Sequence, residues 1–342
     1  MKKLFAIVLC ICLVLSMAAC SKEAEYKLGM GVVVSMDSSK AGNAQVDATA
    51  AAVVLDAEGK IVSCRIDVAQ NKMAVADGAV DTAKTFETKM ELGDRYGMAP
   101  VGIDNDGNGK SLEWFEQAKA FEAYVVGKTG AEIAAMETQE AGGHLIAVDQ
   151  ALLDAGCSIQ ITDFIAAVVA ACEDEQGVTF TTGATFTLGL AAKTTAADSK
   201  PATADENGLV AMYTDFGAAV VADGKILAAL NDAIQPKITI DAAGEIVEKT
   251  FKATKRVLKG DYGMAPVGID NDGNGKSLEW FEQSAAFSKF VVGKTAAEVA
   301  AMETKEANGH LISADQALLD AGCSIQITGL CAVVAQAANN AR

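Results

Sequence analysis

Apolar positions along the chain fall into short dense runs and helical stripes. Residues 30–34 (MGVVV) and 50–55 (AAAVVL) flank a polar stretch at 35–43 rich in Ser, Gly and Asp. Residues 56–59 (DAEG) give a turn signal, and 61–68 then alternate Ile61, Ser63, Arg65 and Asp67 with Val62, Cys64, Ile66 and Val68. Period-two alternation of this kind predicts a half-buried strand, paired with its predecessor as a hairpin. Residues 218–222 and 225–229 repeat the idea around Asp223-Gly224. Residues 82–92 read as helical. From residue 112 onward, Leu112, Phe115, Ala118, Phe121 and Tyr124 recur at helical spacing, with Ser111 as the expected N-cap and Glu113 and Glu116 in the first turns, where the helix dipole favours carboxylates. Gly127 ends that helix. Thr129 to Glu132 is a capping box, mirrored by Thr295 to Glu298. Residues 149–156 predict a short helix and 157–162 (CSIQIT) a strand. A closing helix follows over 163–172, with Phe164, Ile165, Val168 and Val169 inward.

The pattern occurs twice. The string YGMAPVGIDNDGNGKSLEWFEQ at 96–117 returns unchanged at 262–283, and the same offset of 166 carries His144 to His310 and Cys157 to Cys323. Upstream the offset drifts, Gly59-Lys60 matching Gly224-Lys225 and Leu28-Gly29 matching Leu188-Gly189, so insertions sit in the earlier loops. These matches place copy one at 26–173 and copy two at 184–342. Residues 174–183 are expected to form the linker, its start acidic and glycine-containing. The predicted class is α+β, two tandem copies of an antiparallel sheet with helices packed on it.

The first residues add a location. Lys2 and Lys3, an apolar run at 4–15 and the small-residue end Ser16-Met17-Ala18-Ala19-Cys20 have the order of an export signal, too short for a spanning helix. This segment resembles a bacterial lipoprotein signal, which implies removal of 1–19, lipidation of Cys20, a polar tether over 20–25 and a membrane partner reached through the lipid. The motif's usual leucine is Met17 here. A formal net charge of −17 argues against nucleic acid and against electrostatic binding to anionic headgroups. The remaining cysteines, Cys64, Cys157, Cys172, Cys323 and Cys331, lack the dense spacing of a disulfide framework and are expected as core side chains.

Asp104-Asn105-Asp106-Gly107-Asn108-Gly109-Lys110 is the most specific local motif. Asp104, Asp106 and Asn108, with Asp270, Asp272 and Asn274 in copy two, stand at positions one, three and five of a calcium loop of the EF-hand kind, with glycine at six. Position twelve is Phe115 or Phe281 rather than a bidentate Glu, and the plainer expectation is a solvated turn without an ion. His144 and His310 are the only histidines and lie outside any metal-ligand spacing. The sequence has no nucleophile elbow, phosphate-binding loop or dinucleotide fingerprint. Trp114 and Trp280 are expected to be packing groups.

Residues 53–67 (VVLDAEGKIVSCRID) and 153–167 (LDAGCSIQITDFIAA) resemble a divergent form of the bacterial FMN-binding domain of extracellular electron-transfer lipoproteins. In that family an Asp precedes a [Ser/Thr]-Gly-Ala-Thr motif whose last Thr is esterified by FMN phosphate. Here Asp154-Ala155 leads to Gly156-Cys157-Ser158, and Asp320 leads to Ser324 in the same way. A literal match occurs at 182–187 (TGATFT), where Thr185 takes the acceptor's place and Thr179 stands for the Asp. The resemblance implies a flavin held covalently at Thr185 or near Ser158 and Ser324, or held non-covalently, together with a redox partner. The resulting expectation is a lipid-anchored, non-enzymatic extracellular binding protein for a flavin or another small ligand. The alternative expectation is a calcium-stabilised structural or interaction lipoprotein without a cofactor.

Overall fold

The computed structural model describes residues 23–342. Copy one begins with three long strands, β1 (Ala24–Ser35), β2 (Asn43–Leu55) and β3 (Ile61–Ala74). Helices α1 (Lys89–Leu92), α2 (Trp114–Tyr124) and α3 (Gly130–Ala134) follow, then a hairpin of β4 (Thr138–Ala141) and β5 (His144–Ala147), and helices α4 (Gln150–Asp154) and α5 (Thr162–Cys172). Strand β6 (Val178–Thr182) leads into copy two, which runs β7 (Thr187–Thr195), β8 (Gly208–Ala211), β9 (Tyr213–Ala222), β10 (Lys225–Ile234), β11 (Lys237–Ile240) and β12 (Ile246–Thr250). It closes with α6 (Lys255–Leu258), α7 (Trp280–Phe290), α8 (Ala296–Ala300), β13 (Thr304–Ala307), β14 (His310–Ser313), α9 (Gln316–Asp320) and α10 (Thr328–Asn339). The fold class is α+β, with antiparallel sheets throughout.

Two sheets, ordered β3-β2-β1-β6 and β10-β9-β7, pack face to face. Their inner faces form one cluster, in which Leu28, Met30 and Val46 of copy one meet Leu188, Phe216 and Leu230 of copy two. Each outer face carries its own copy's helices: α2 and α5 lie over Val53, Cys64 and Ile66, and α7 and α10 over Ile226 and Ala229. A strand covered on both sides must be apolar at consecutive positions, which is why the last eight residues of β2 are all buried. The predicted hairpin is observed, with Val53 opposite Cys64 and Ala51 opposite Ile66.

Alanine and glycine in these strands let the helices sit unusually close. A methyl group added at Gly29 would come within 2.0 Å of the Ala171 carbonyl oxygen in α5, and one at Gly189 within 1.8 Å of the Ala337 carbonyl oxygen in α10. The two copies thus use the same contact to fasten the helix that closes each of them.

Five expectations are corrected. The stretch 174–183 carries β6, whose Phe180 is buried beside Tyr26 (ring centroids 5.6 Å apart) while the strand pairs with β1 from Leu28 to Ala24. That pairing draws Ala24 and Glu25, expected in the tether, into β1. Residues 82–92 are helical only over α1: the Asp81 carboxylate accepts the Ala83 amide in a turn, and the capping box of Thr88 with Glu91 sets the helix start at Lys89. Residues 157–161 form no strand, and the N-cap of α2 is Glu113 rather than Ser111, with Glu116 completing the box. The signal segment and Cys20 lie outside the described residues, among which no helix is long and apolar enough to cross a membrane.

Gly29→Ala and Gly189→Ala are each expected to destabilise the protein by about 2 kcal/mol or more, because the helix must be pushed off its sheet. Gly260→Ala, where an added methyl meets nothing within 4 Å, should stay near neutral. Urea unfolding of the three variants checks the contrast.

Candidate functional site

The identical strings fold into self-braced loops. Asp104 accepts the amides of Asn108 (3.2 Å) and Gly109 (2.8 Å), and Asp106 accepts the side-chain amide of Asn108 (2.8 Å). Asn105 donates to the Ser158 carbonyl (2.9 Å) and Lys110 to the Asp154 carbonyl (2.5 Å), clamping the loop onto the end of α4. Asp270, Asp272 and Asn274 repeat these bonds. Asp104 and Asp106 face one another, so desolvation and the neighbouring carboxylate raise the Asp106 carboxyl while backbone amides lower that of Asp104. Among the described residues no three or more His, Cys, Asp or Glu side chains gather as a metal site. Glu113, expected to serve the helix dipole, also accepts the amides of Met98 and Ala99, and Gln117 accepts the Ser158 amide (2.9 Å).

Other sequence-derived residues are scattered. Thr185 is exposed in the turn between β6 and β7, whereas Ser158 and Ser324 are buried beneath the loops, so the structure does not bring the three together. His144 and His310 are exposed at the starts of β5 and β14. Trp114 and Trp280 are buried, Trp114 against Phe164 at 5.7 Å. The five cysteines of the described residues are free, all buried except the half-buried Cys172.

A cleft of about 590 Å³ opens instead where α7 faces β10 and β6, the edge strands of the two central sheets. Phe180, Leu227, Phe281 and Val292 give it apolar walls, and Asn231, Ser284 and Ser288 bring polar groups inside. Asn231 is only 1% exposed. Its Nδ2 donates to Ser288 Oγ (3.0 Å), and its Oδ1 has no partner. Arg256 lines one wall, held by a buried ion pair to Asp174 just after α5 (3.0 Å), while Asp174 also accepts the Met30 amide. Lys289 stands exposed at the rim.

The equivalent place in copy one is occupied by charge. Asp67 and Asp232 mark the match, since each carboxylate accepts the amide of the next residue and of the helix that follows, Met90 in one copy and Arg256 in the other. Ile66 therefore corresponds to Asn231, Arg65 to Leu230 and Glu122 to Ser288. Glu122 accepts the Ile66 amide (2.9 Å) and pairs with Arg342 (2.7 Å) and Arg65 (3.6 Å). Burial raises the Glu122 carboxyl, and the two guanidiniums oppose that rise.

Beside the cleft, Lys255 is buried with its Nζ 4.7 Å from the Tyr262 ring centroid and 5.1 Å from that of Trp280, and it donates to the Tyr213 hydroxyl (2.5 Å). Burial pulls its ammonium down to about 8, against the pull of Asp215 and Asp232. Lys89 stacks in the same way over Tyr96 and Trp114. The Tyr and Trp near the two ends of the repeated string thus clasp one lysine in each copy.

No family model matches the chain, and neither a curated protein nor a solved structure matches it. The cleft had one signal in the sequence. The two copies are identical through Gln117 and Gln283 and then diverge on one helix face, AKAFE against SAAFS.

Two predictions follow from these contacts. Burial pushes the Asp67 carboxyl up to about 6, with hydrogen bonds from Thr88, Met90 and Val68 opposing. Between its unfolded pKa near 4 and its folded pKa the native state binds more protons, so this group's contribution to stability falls as pH rises through that window, by at most about 3 kcal/mol. Asp67→Asn keeps the acceptor for both amides and should remove that slope in urea midpoints measured across the window. The double variant Asp104→Ala/Asp270→Ala should melt at a lower temperature in calcium-free buffer, because the loop amides lose their acceptors. A calcium-dependent rise in melting temperature that the double variant lacks would identify the loops as cation sites.

Proposed function

We propose that the chain is an exported, lipid-anchored, non-enzymatic binding protein whose small ligand occupies the cleft between α7, β10 and β6. The observation that carries this reading is the cleft, with apolar walls, a few convergent polar side chains and a buried amide oxygen left without a partner. A volume of about 590 Å³ lies within the range of small-molecule sites. The lipoprotein signal supports attachment through Cys20. Since β1 begins at Ala24, four residues from Cys20, the fold would stay within about 14 Å of the lipidated residue, the reach of an extended chain. Flavin is the ligand implied by the resemblance, and in this reading it sits in the cleft without a covalent bond to Thr185. A second reading, a calcium-stiffened surface protein, draws on the facing carboxylates of Asp104 and Asp106.

The test uses FMN as the first probe, together with native mass spectrometry of protein isolated without refolding. The expected result is a bound small molecule or FMN uptake in the wild type that is lost in Ser284→Trp, which fills the cleft from α7. Binding that survives Ser284→Trp would place the ligand elsewhere. An empty protein that takes up no small molecule would remove the binding reading.

A further inference from the structure

The two copies differ at the cleft in a coordinated way. In copy one, one anion and two cations fill the groove: Glu122 with Arg65 and Arg342. In copy two the same three places hold Ser288, Leu230 and, at the repeat offset from Arg342, Gln176, all lining the cleft. Anion and cations have been lost together, and the cation that copy two gains, Lys289 in place of Ala123, stands exposed at the rim, so the interior of the cleft has no missing counter-charge for a ligand to supply. Arg256 does not change this balance, because Asp174 already neutralises it. What copy two does lack is hydrogen bonding. The Ile66 amide of copy one finds the Glu122 carboxylate at 2.9 Å. At the equivalent Asn231, Ser288 engages the side-chain Nδ2 instead, and among the described residues no side chain accepts the Asn231 backbone amide. The Asn231 Oδ1 is buried and equally unpartnered. One residue lining the apolar cleft therefore holds a buried acceptor without a partner and a backbone donor that no side chain takes up.

We propose that the cleft recognises an uncharged amide on an apolar body, the amide C=O accepting from Asn231 N–H and the amide N–H donating to Asn231 Oδ1. This rests on the cleft being the ligand site. A carboxylate would enter a groove stripped of the two guanidiniums that support Glu122, and it would set a second acceptor against Oδ1. An ester would satisfy the donor and leave Oδ1 buried without a partner, a loss that binding sites built around hydrogen bonds penalise strongly. Short apolar peptides and fatty amides both carry the required group. The neighbouring edge of β6, which among the described residues pairs with β1 alone, offers further main-chain partners to a peptide.

Three probes with one apolar body separate the possibilities: 4-phenylbutanamide, 4-phenylbutanoate and methyl 4-phenylbutanoate, each titrated into the full chain with chemical-shift or calorimetric readout. The expected result is that the amide binds about tenfold tighter than either of the others, a difference of about 1.4 kcal/mol. Ser288→Glu, which restores the copy-one carboxylate, should abolish binding of all three. Asn231→Ile installs the copy-one residue, keeps the backbone N–H, and removes the acceptor together with the Nδ2 bond to Ser288, so it should bring the amide down to the level of the ester while circular dichroism stays native. Equal or tighter binding of the acid or ester, or an amide preference that survives Asn231→Ile, overturns the amide assignment and leaves the cleft as a ligand site. If none of the three binds and FMN fails as well, the cleft reading falls with it.

Discussion

The rest of the structure depends on the burial of one sheet face against another. Because the inner faces of β1, β2 and β3 are covered by β7, β9 and β10, neither copy has a complete core without its partner. The outer faces must still be covered, and helices do this with their backbones close to the strands at Gly29, Gly31, Gly189 and Gly217. Four layers follow, helix, sheet, sheet and helix, in which the central strands carry apolar side chains on both faces. Polar chemistry is thereby driven to the sheet edges, where buried ion pairs and hydrogen bonds tie one copy to the other. Arg256 with Asp174 and Arg342 with Glu122 are such ties. A buried pair of this kind is a weak source of net stability, but losing one partner is costly, so it fixes how the copies are placed.

The repeated string, the most conspicuous feature of the sequence, turns out to be mainly architectural. Its Asp, Asn, Glu, Gln and Lys side chains are largely engaged with backbone amides and carbonyls of the loop or of the α4 end and α9 end it rests on. Tyr96 with Trp114, and Tyr262 with Trp280, hold a lysine between them. A loop that satisfies its own polar groups so fully is intolerant of substitution at many positions at once. That physical reason for sameness does not require the two loops to share a ligand.

Much of the fold was legible because it is written in local signals. The β2–β3 hairpin was visible in the alternation from Ile61 to Val68, and the starts of α3 and α8 were visible in their capping boxes. The failures lie where tertiary contacts decide. Residues 157–161 carry strand-forming side chains, yet Gln117 and Asn105 capture the backbone of Ser158, and among the described residues the segment reaches β5 through the single bond from the Ile161 amide to the Leu145 carbonyl. Strand β6 was hidden in a stretch with the composition of a linker, since its existence depends on the exposed edge of β1 rather than on its own five residues. The hairpins of β4 with β5 and β13 with β14 turn at Gly142-Gly143 and Asn308-Gly309, just ahead of the two histidines, and their four-residue strands are too short for an alternation to stand out.

The candidate site was illegible for a different reason. The cleft is made where larger charged residues give way to smaller or uncharged ones: Ser288 for Glu122 and Leu230 for Arg65. Only subtraction of one copy from the other exposes it. Identical strings hold α2 and α7 at corresponding places, so a change on one face of one helix cannot be absorbed by a shift of the helix. The removed volume must therefore persist as space, and the hydrogen-bonding groups that Glu122 satisfies in copy one must remain unsatisfied at its counterpart. In a duplicated protein with a fused core, the copy that fills the groove with its own side chains acts as the built-in reference for the copy that leaves it open.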